Sequence, residues 1–397
     1  MTMETKDKVF QEQLSAWLKA KGNKKERGEI ARHMVFATKC HPKSVARTFT
    51  RLQLRDKAYV DRRGRPPYYD KAVTAALRTV WEVGDRGCGE IIHPMIAEYV
   101  TVLARDEGWG HGDLATGKLL AMSERTVKRR VAAFQKENGI QRRGLSGTSP
   151  SALKHIIPIR KDMSRDNVPG DGQLDTVAHC GDSLAGSFIW TLNYTDAATY
   201  WTVIRAQWNK GQEATKESVV AIRAALPFPL RALHPDSGGE FINWVLKGWC
   251  DAEGIDLSRS EPYKKNDNMF VEERNGHVIR RYLGWERLSD LVLVPIVNEL
   301  CNTIGLYTNH WKAVRRMVSK ERIGAKYKRT YEKRAMSPYG RVMARVDVTD
   351  DAKEKLRNAH DALNPLLLLK KIATLKKTIY ELAKKSRNRA AEEEKIR

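Results

Sequence analysis

No run of about 18 apolar residues occurs in the 397, so the sequence gives no ground to expect a membrane span. Cysteine is scarce, with five scattered residues (40, 88, 180, 250 and 301) and no CxxC pair. That argues against a disulfide scaffold or a cysteine-rich zinc site and fits a reducing, cytoplasmic setting. His33, Cys40 and His41 lie close in sequence but have no evident fourth ligand. The opening MTMETKDKVFQEQ lacks the charged-then-apolar layout of a secretory signal. Internal repeats are also missing, which argues against a solenoid.

What the chain has in excess is positive charge, +23 overall, unevenly placed. Residues 1–150 hold 29 Lys and Arg against 17 Asp and Glu; residues 151–310 hold 17 against 20; residues 311–397 hold 25 against 11. Two basic flanks suit a polyanion such as double-stranded DNA. The acidic middle is odd for a DNA-binding protein unless cations offset its carboxylates.

The first 60 residues read as helices. In HPKSVARTFTRLQLR, Pro42 sits near a helix start, and Val45, Phe49 and Leu52 share a face, the outline of a helix-turn-helix. The breaker DRRGRPPYYD follows, and a further helical stretch ends with LLAMSERTVKRRVAAFQKEN. There Ser123 is a good N-cap, and Val127, Val131 and Phe134 make the inner face. QRRGLSGTSPS has the composition of a linker. From about residue 170 the pattern becomes β-β-β-α-β-α-β-α, a mixed five-stranded sheet with helices. The tail is helical, and Leu368, Ile372, Leu375, Ile379 and Leu382 repeat at coiled-coil spacing, a seam for a partner helix.

Three acids stand out on that scheme: Asp175 within the first strand, Asp236 at the end of the fourth, and a glutamate on the last helix. Clustered carboxylates repel unless divalent cations lie between them. Two such ions about 3.5–4 Å apart suit in-line displacement at a phosphodiester. In NDNMFVEERNGHVIRRYLG, a turn of about 100° per residue puts Val271, Asn275, Val278, Ile279, Tyr282 and Leu283 on one arc. Glu272 borders that arc, whereas Glu273 points away, towards His277, Arg280 and Arg281. Glu272 is therefore the functional candidate. Asp196 ends a strand without the spacing, and Glu240 reads as a helix-start residue favoured by the dipole.

Asp236 and Glu272 have 35 residues between them. HPDSGGEF, PYKKNDNMFVEERNG and LDTVAHCGDSLAGSFIWTLNYTD together resemble the second-aspartate, glutamate and first-aspartate motifs of the D,D-35-E integrase and transposase superfamily. The best match is to the integrase-core transposases of bacterial insertion sequences. The resemblance spans roughly residues 20–340. It departs in Ser-Gly, where Asn-Gly is commoner, and in lacking the zinc-binding N-terminus of retroviral integrases.

The resemblance implies an RNase H-like catalytic domain (168–310). A helix-turn-helix domain (1–60) and an AT-hook-like linker with a second helix-turn-helix (61–150) precede it. A basic segment (311–350) and a helical tail (351–397) follow. It also implies two Mg²⁺ (or Mn²⁺) ions held by Asp175, Asp236 and Glu272. Water would free a 3′-hydroxyl at an element end, and that hydroxyl would attack target DNA, with a homo-oligomer assembled on the DNA. Expected DNA contacts are Arg63 and Arg65 in the minor groove (or in a plain basic linker), Arg125, Lys128 and Arg129 on a recognition helix, and Tyr263, Lys264 and Lys265 beside the glutamate. The rival readings are a non-catalytic DNA-binding regulator derived from a transposase, and an RNase H-type nuclease.

Overall fold

The computed structural model describes residues 3–53, 68–135, 168–260, 269–323 and 326–396. The chain divides into two compact units, Met1–Tyr68 and Tyr69–Arg397. The expected Arg63, Arg65, Tyr263, Lys264 and Lys265 contacts lie outside the described residues.

The first unit is three helices, α1 (Met3–Lys19), α2 (Lys24–Thr38) and α3 (Pro42–Gln53). The Asn23 side chain caps α2 by accepting from the Glu26 N–H, and Lys39 ends that helix in the left-handed region, φ 55°. Pro42 then opens α3, where its missing N–H costs nothing. Val45, Phe49 and Leu52 close on Phe10, Trp17 and Met34, with Trp17 stacked on Phe49 at 4.4 Å.

The second unit begins with α4 (Lys71–Val83), α5 (Gly89–Ile92), α6 (Ile96–Arg105), α7 (Asp113–Leu120) and α8 (Glu124–Gln135). Helices α7 and α8 are joined by the short turn Ala121–Ser123. The start of α5 lies so close to α8 that a Cβ on Gly89 would stand 2.5 Å from the Lys128 Cα, which is why only glycine fits there.

The sheet follows as β1 (Asp171–Ala178), β2 (Trp190–Asp196), β3 (Thr202–Gln207), α9 (Gln212–Ala225), β4 (Ala232–Pro235), α10 (Trp244–Ala252) and β5 (Asp256–Leu257). Its order is β3-β2-β1-β4-β5; the first three strands pair antiparallel, and β4 and β5 run parallel to β1. This is the expected RNase H-like arrangement. Both faces are covered. Leu174, Leu192, Tyr194 and Leu233 pack under Val219 and Ile222 of α9 and Leu246 of α10. On the other face lies the glutamate helix: α11 (Met269–Arg274), a π-helical stretch Asn275–Arg280, and α12 (Arg281–Leu283). Beside it runs α13 (Val294–Trp311), packed on β3.

By length and composition alone Leu291–Trp311 could cross a membrane. Here α13 is a core helix, burying Val297, Leu300, Ile304 and Trp311 in a cluster that also takes in α4, α6, α7 and α8. Helices α7 and α8 and the five-stranded sheet thus share one core.

The chain ends with a two-stranded ribbon, β6 (Met317–Ile323) and β7 (Lys326–Tyr331), then α14 (Pro338–Met343), α15 (Asp350–Asp361) and α16 (Pro365–Ile396). The tail is helical as expected, but its seam is already occupied. Leu368, Ile372, Leu375 and Ile379 are buried in the core shared with α13, while Leu382 stays exposed. The partner helix for that 4-3 spacing is α13 of the same chain.

Candidate active site

One face of the sheet carries a polar stripe. Side chains alternate between faces along a strand, so Gln173 and Asp175 share a face, as do Thr191, Asn193 and Thr195 opposite them in register. Gln173, Asn193, Thr195 and His234 are fully or almost fully buried there. Buried polar groups persist only when they are hydrogen-bonded, and two of these, Gln173 and Asn193, bond to the glutamate helix. The Gln173 Oε1 accepts from the Phe270 N–H at 3.0 Å and the Val271 N–H at 3.2 Å, satisfying donors that a helix start leaves open. Asn193 Nδ2 donates to the Val271 carbonyl at 3.4 Å and to Asn275 Oδ1 at 2.8 Å. Asn275 Nδ2 donates in turn to Asp175 Oδ2 at 2.6 Å. Three amides therefore pin the glutamate helix to the aspartate strand.

Asp236 reaches Asp175 by strand register. The last paired residues of β1 and β4 are Leu174 and Pro235, so the next position on each parallel strand is an aspartate. Asp236 Oδ1 accepts from the Gly238 N–H at 3.0 Å, which folds the carboxylate over its own turn. A Cβ on Gly238 would stand 2.7 Å from Glu240 Oε2 and 3.0 Å from Asp236 Oδ1, so a side chain there would push on both carboxylates.

Asp175 registers its neighbours electrostatically. Burial, then the charge of Asp236, push its carboxyl up to about 7 against the Thr176 N–H and Asn275, and Glu272 pushes in the same direction. Glu273 acts elsewhere, on Tyr200, Arg274 and His277. Both glutamates are exposed, so it is their reach, not their burial, that separates them. The expected inner arc also holds: Val271, Val278, Ile279, Tyr282 and Leu283 are buried. Among the described residues no three His, Cys, Asp or Glu side chains form a ready-made metal cage.

Two expectations need correction. Glu240 does not start a helix. Asn243 caps α10, while the Glu240 carboxylate accepts from Thr176 Oγ at 3.1 Å and stands 3.9 Å from Lys210 Nζ. Arg280 and Arg281 do not form a solvated set with Glu273. Arg280 donates to the Ala178 carbonyl at 2.8 Å, and Arg281 joins Lys312 and Tyr282 on Asp85, in the turn after α4. The π-helical stretch, which adds a residue per turn, carries these two inward. On α8, Lys128 pairs with Glu90, and Arg125 and Arg129 stand exposed.

Sequence reasoning missed Gln173, Asn193, Asn275 and Glu240. A signal was present for the first two. Polar residues at every second position of a strand whose alternate positions are Leu and Tyr mark a sheet buried on both faces.

An RNase H-like sheet with an aspartate pair on adjacent strands and a third carboxylate within electrostatic reach defines the class of site. No family model matches the chain. It is 33% identical over 268 residues to the uncharacterized protein y4rM of Sinorhizobium fredii, a match covering 66% of this chain and 75% of that one. The chain belongs to the family of that protein. Among solved structures it is similar to the HTLV-2 integrase catalytic core domain in complex with magnesium (15% identity, 37% of this chain and 91% of that one, TM-score 0.28). A second is the catalytic core domain of BIV integrase (12% identity, 36% and 85%, TM-score 0.28).

Proposed function

We propose that this protein is a DNA transposase, a polynucleotidyl transferase that cleaves the ends of an element and joins the freed 3′-hydroxyl to target DNA. The observation that carries the reading is the convergence on Asp175: Asp236 stands at the adjacent register position, and Glu272 acts on it from the helix. The donor set is all oxygen, which suits Mg²⁺ or Mn²⁺. Mg²⁺ takes one or two carboxylates and completes its shell with water and phosphate oxygens, so no closed protein cage is needed. Asp175, Asp236 and Glu272 would hold two ions, which when bound supply charge neutralisation and an activated oxygen nucleophile.

The chain's own residues orient the carboxylates. The Thr176 N–H holds Asp175 Oδ1 at 2.8 Å while Asn275 holds Oδ2, so the group cannot rotate. Gly238 does the same for one oxygen of Asp236. Arg125 and Arg129 would read DNA from α8, and Asp85 would keep that module in a fixed relation to the glutamate helix through Arg281 and Tyr282. Arg63, Arg65, Lys128, Tyr263, Lys264 and Lys265 belong to the proposed DNA contacts on sequence grounds. Two ends must be held at once, which requires a homo-oligomer on DNA. A joining assay tests the reading: labelled DNA bordering the gene, incubated with the protein, Mg²⁺ and a plasmid, should yield labelled plasmid. Label that is cut but never joined would leave only a nuclease.

A further inference from the structure

The β6–β7 ribbon has no role in the site just described. It stands on a firm base. Glu332, immediately after β7, accepts from Arg316 Nε at 2.7 Å and from Arg341 Nη2 at 2.6 Å, and Arg316 Nη1 donates to the Ala198 carbonyl at 2.9 Å. Residues 317–334 hold seven Lys and Arg against two Glu, and Glu332 is one of those two. The charge of this stretch is therefore mostly positive.

Strand register separates the ribbon's faces. Along β7, Arg329 and Tyr331 share one face. The opposite face places Glu321 beside Lys328, with Ile323, Ser319 and Thr330 along it. Arg329 and Tyr331 are exposed. An exposed cation beside an exposed tyrosine suits a nucleic acid, whose phosphates take the charge and whose sugars and bases take the ring. A seven-residue strand is about 24 Å long, enough to lie in a major groove about 12 Å wide, which admits a two-stranded ribbon.

Past Glu332 the foot of the ribbon meets the α7–α8 pair. Lys333 and Arg334 border one shallow groove with Leu120, Met122 and Glu124, at the start of α8. We propose that the β6–β7 ribbon and its foot grip duplex DNA as the second half of a surface begun by α8, with α8 reading sequence and the ribbon binding phosphates. This deepens the transposase reading and rests on it for the choice of DNA.

The test measures affinity of the full chain for short labelled duplexes, specific and random, between about 50 and 200 mM salt. Each phosphate contact contributes about 0.9 to the slope of log affinity against log salt. The variant Arg329→Gln/Lys333→Gln/Arg334→Gln should flatten that slope by about 2.7, equally on both duplexes. Lys370→Gln/Lys384→Gln/Lys385→Gln removes the same charge from exposed positions of α16 and should leave the slope unchanged. If the triple ribbon variant melts lower, Arg329→Gln alone should still flatten the slope by about 0.9. An unchanged slope, an equal fall in the α16 control, or stronger binding to duplex RNA than to DNA would each overturn the proposal. Nicking in Mg²⁺ distinguishes the two readings: a failed ribbon leaves nicking at high protein concentration, and a failed transposase reading abolishes nicking while the ribbon's slope remains.

Discussion

Replacing Asn275 probes whether the amide clamp serves chemistry or packing. Asn275→Ala removes a 2.6 Å bond to the Asp175 carboxylate and a 2.8 Å bond to Asn193. A hydrogen bond to a charged group contributes about 1.5–3 kcal/mol. Asn193 keeps only its 3.4 Å contact with the Val271 carbonyl, so part of a second bond is lost as well. The melting temperature should fall by several degrees. Loss of a group that orients a metal-binding carboxylate typically weakens metal affinity by about 10–100-fold. The half-saturating Mn²⁺ for DNA nicking, and for Mn²⁺ binding followed by electron paramagnetic resonance, should both rise by that factor. Asn275→Asp discriminates further. It is closer in shape to asparagine than alanine is, yet it sets a carboxylate against Asp175, so at about pH 8 it should be the worse variant. If Asn275→Asp outperforms Asn275→Ala, or if neither changes the metal response, the residue fills space and the reasoning fails.

Three more outcomes follow from the packing. Gly89→Ala drives a methyl into the Lys128 backbone, so it should destabilise the chain by about 1–3 kcal/mol; a thermal melt equal to wild type would mean that α5 and α8 are not in contact. Truncation after residue 351 removes Leu368, Ile372, Leu375 and Ile379 from the core, each contributing about 1.5–3 kcal/mol, so stability and single-end nicking should fall together; a truncated protein that melts normally would make the tail an independent arm. Burial pushes His179 down to about 3, and burial followed by the charge of His360 does the same to His310. Their folded values lie below the ordinary 6.5, so the stability they contribute is present above pH 6.5 and is lost as pH falls towards 3, at up to about 1.4 kcal/mol per histidine per pH unit. Asp175 and Asp196, raised to about 7 and about 6, act in the opposite sense over the same range. The check is therefore His179→Gln/His310→Gln, which should lose less stability than wild type between pH 7 and 5; an identical pH dependence would contradict this.

Much of the site was legible because alternation and spacing are local. GQLDTVA and WTLNYTD show a two-residue period, so both could be placed as strands, and the apolar arc from Val271 to Leu283 set Glu272 apart from Glu273. Other features depend on tertiary partners that sequence does not name. The seam from Leu368 to Ile379 fits any apolar helix, and nothing in its spacing distinguishes α13 of the same chain from another subunit. Glu240 looked like a dipole-favoured residue because α10 starts four residues later than its composition suggests, at Trp244. A regular 100° wheel also cannot foresee a π-helical stretch at Asn275–Arg280, which takes Arg280 and Arg281 inward to Ala178 and Asp85.

The transposase reading stands or falls on whether three charges, and not the fold, drive cleavage. Asp175→Asn, Asp236→Asn and Glu272→Gln should each be made singly beside Glu273→Gln, with nicking of end DNA in Mg²⁺, DNA affinity and melting temperature measured on the same samples. The first three should lose nicking by at least about a thousandfold while binding DNA and melting as wild type does, and Glu273→Gln should keep most of its activity. Retained nicking in any of the first three, or loss in Glu273→Gln with Glu272→Gln active, would contradict the site assigned here.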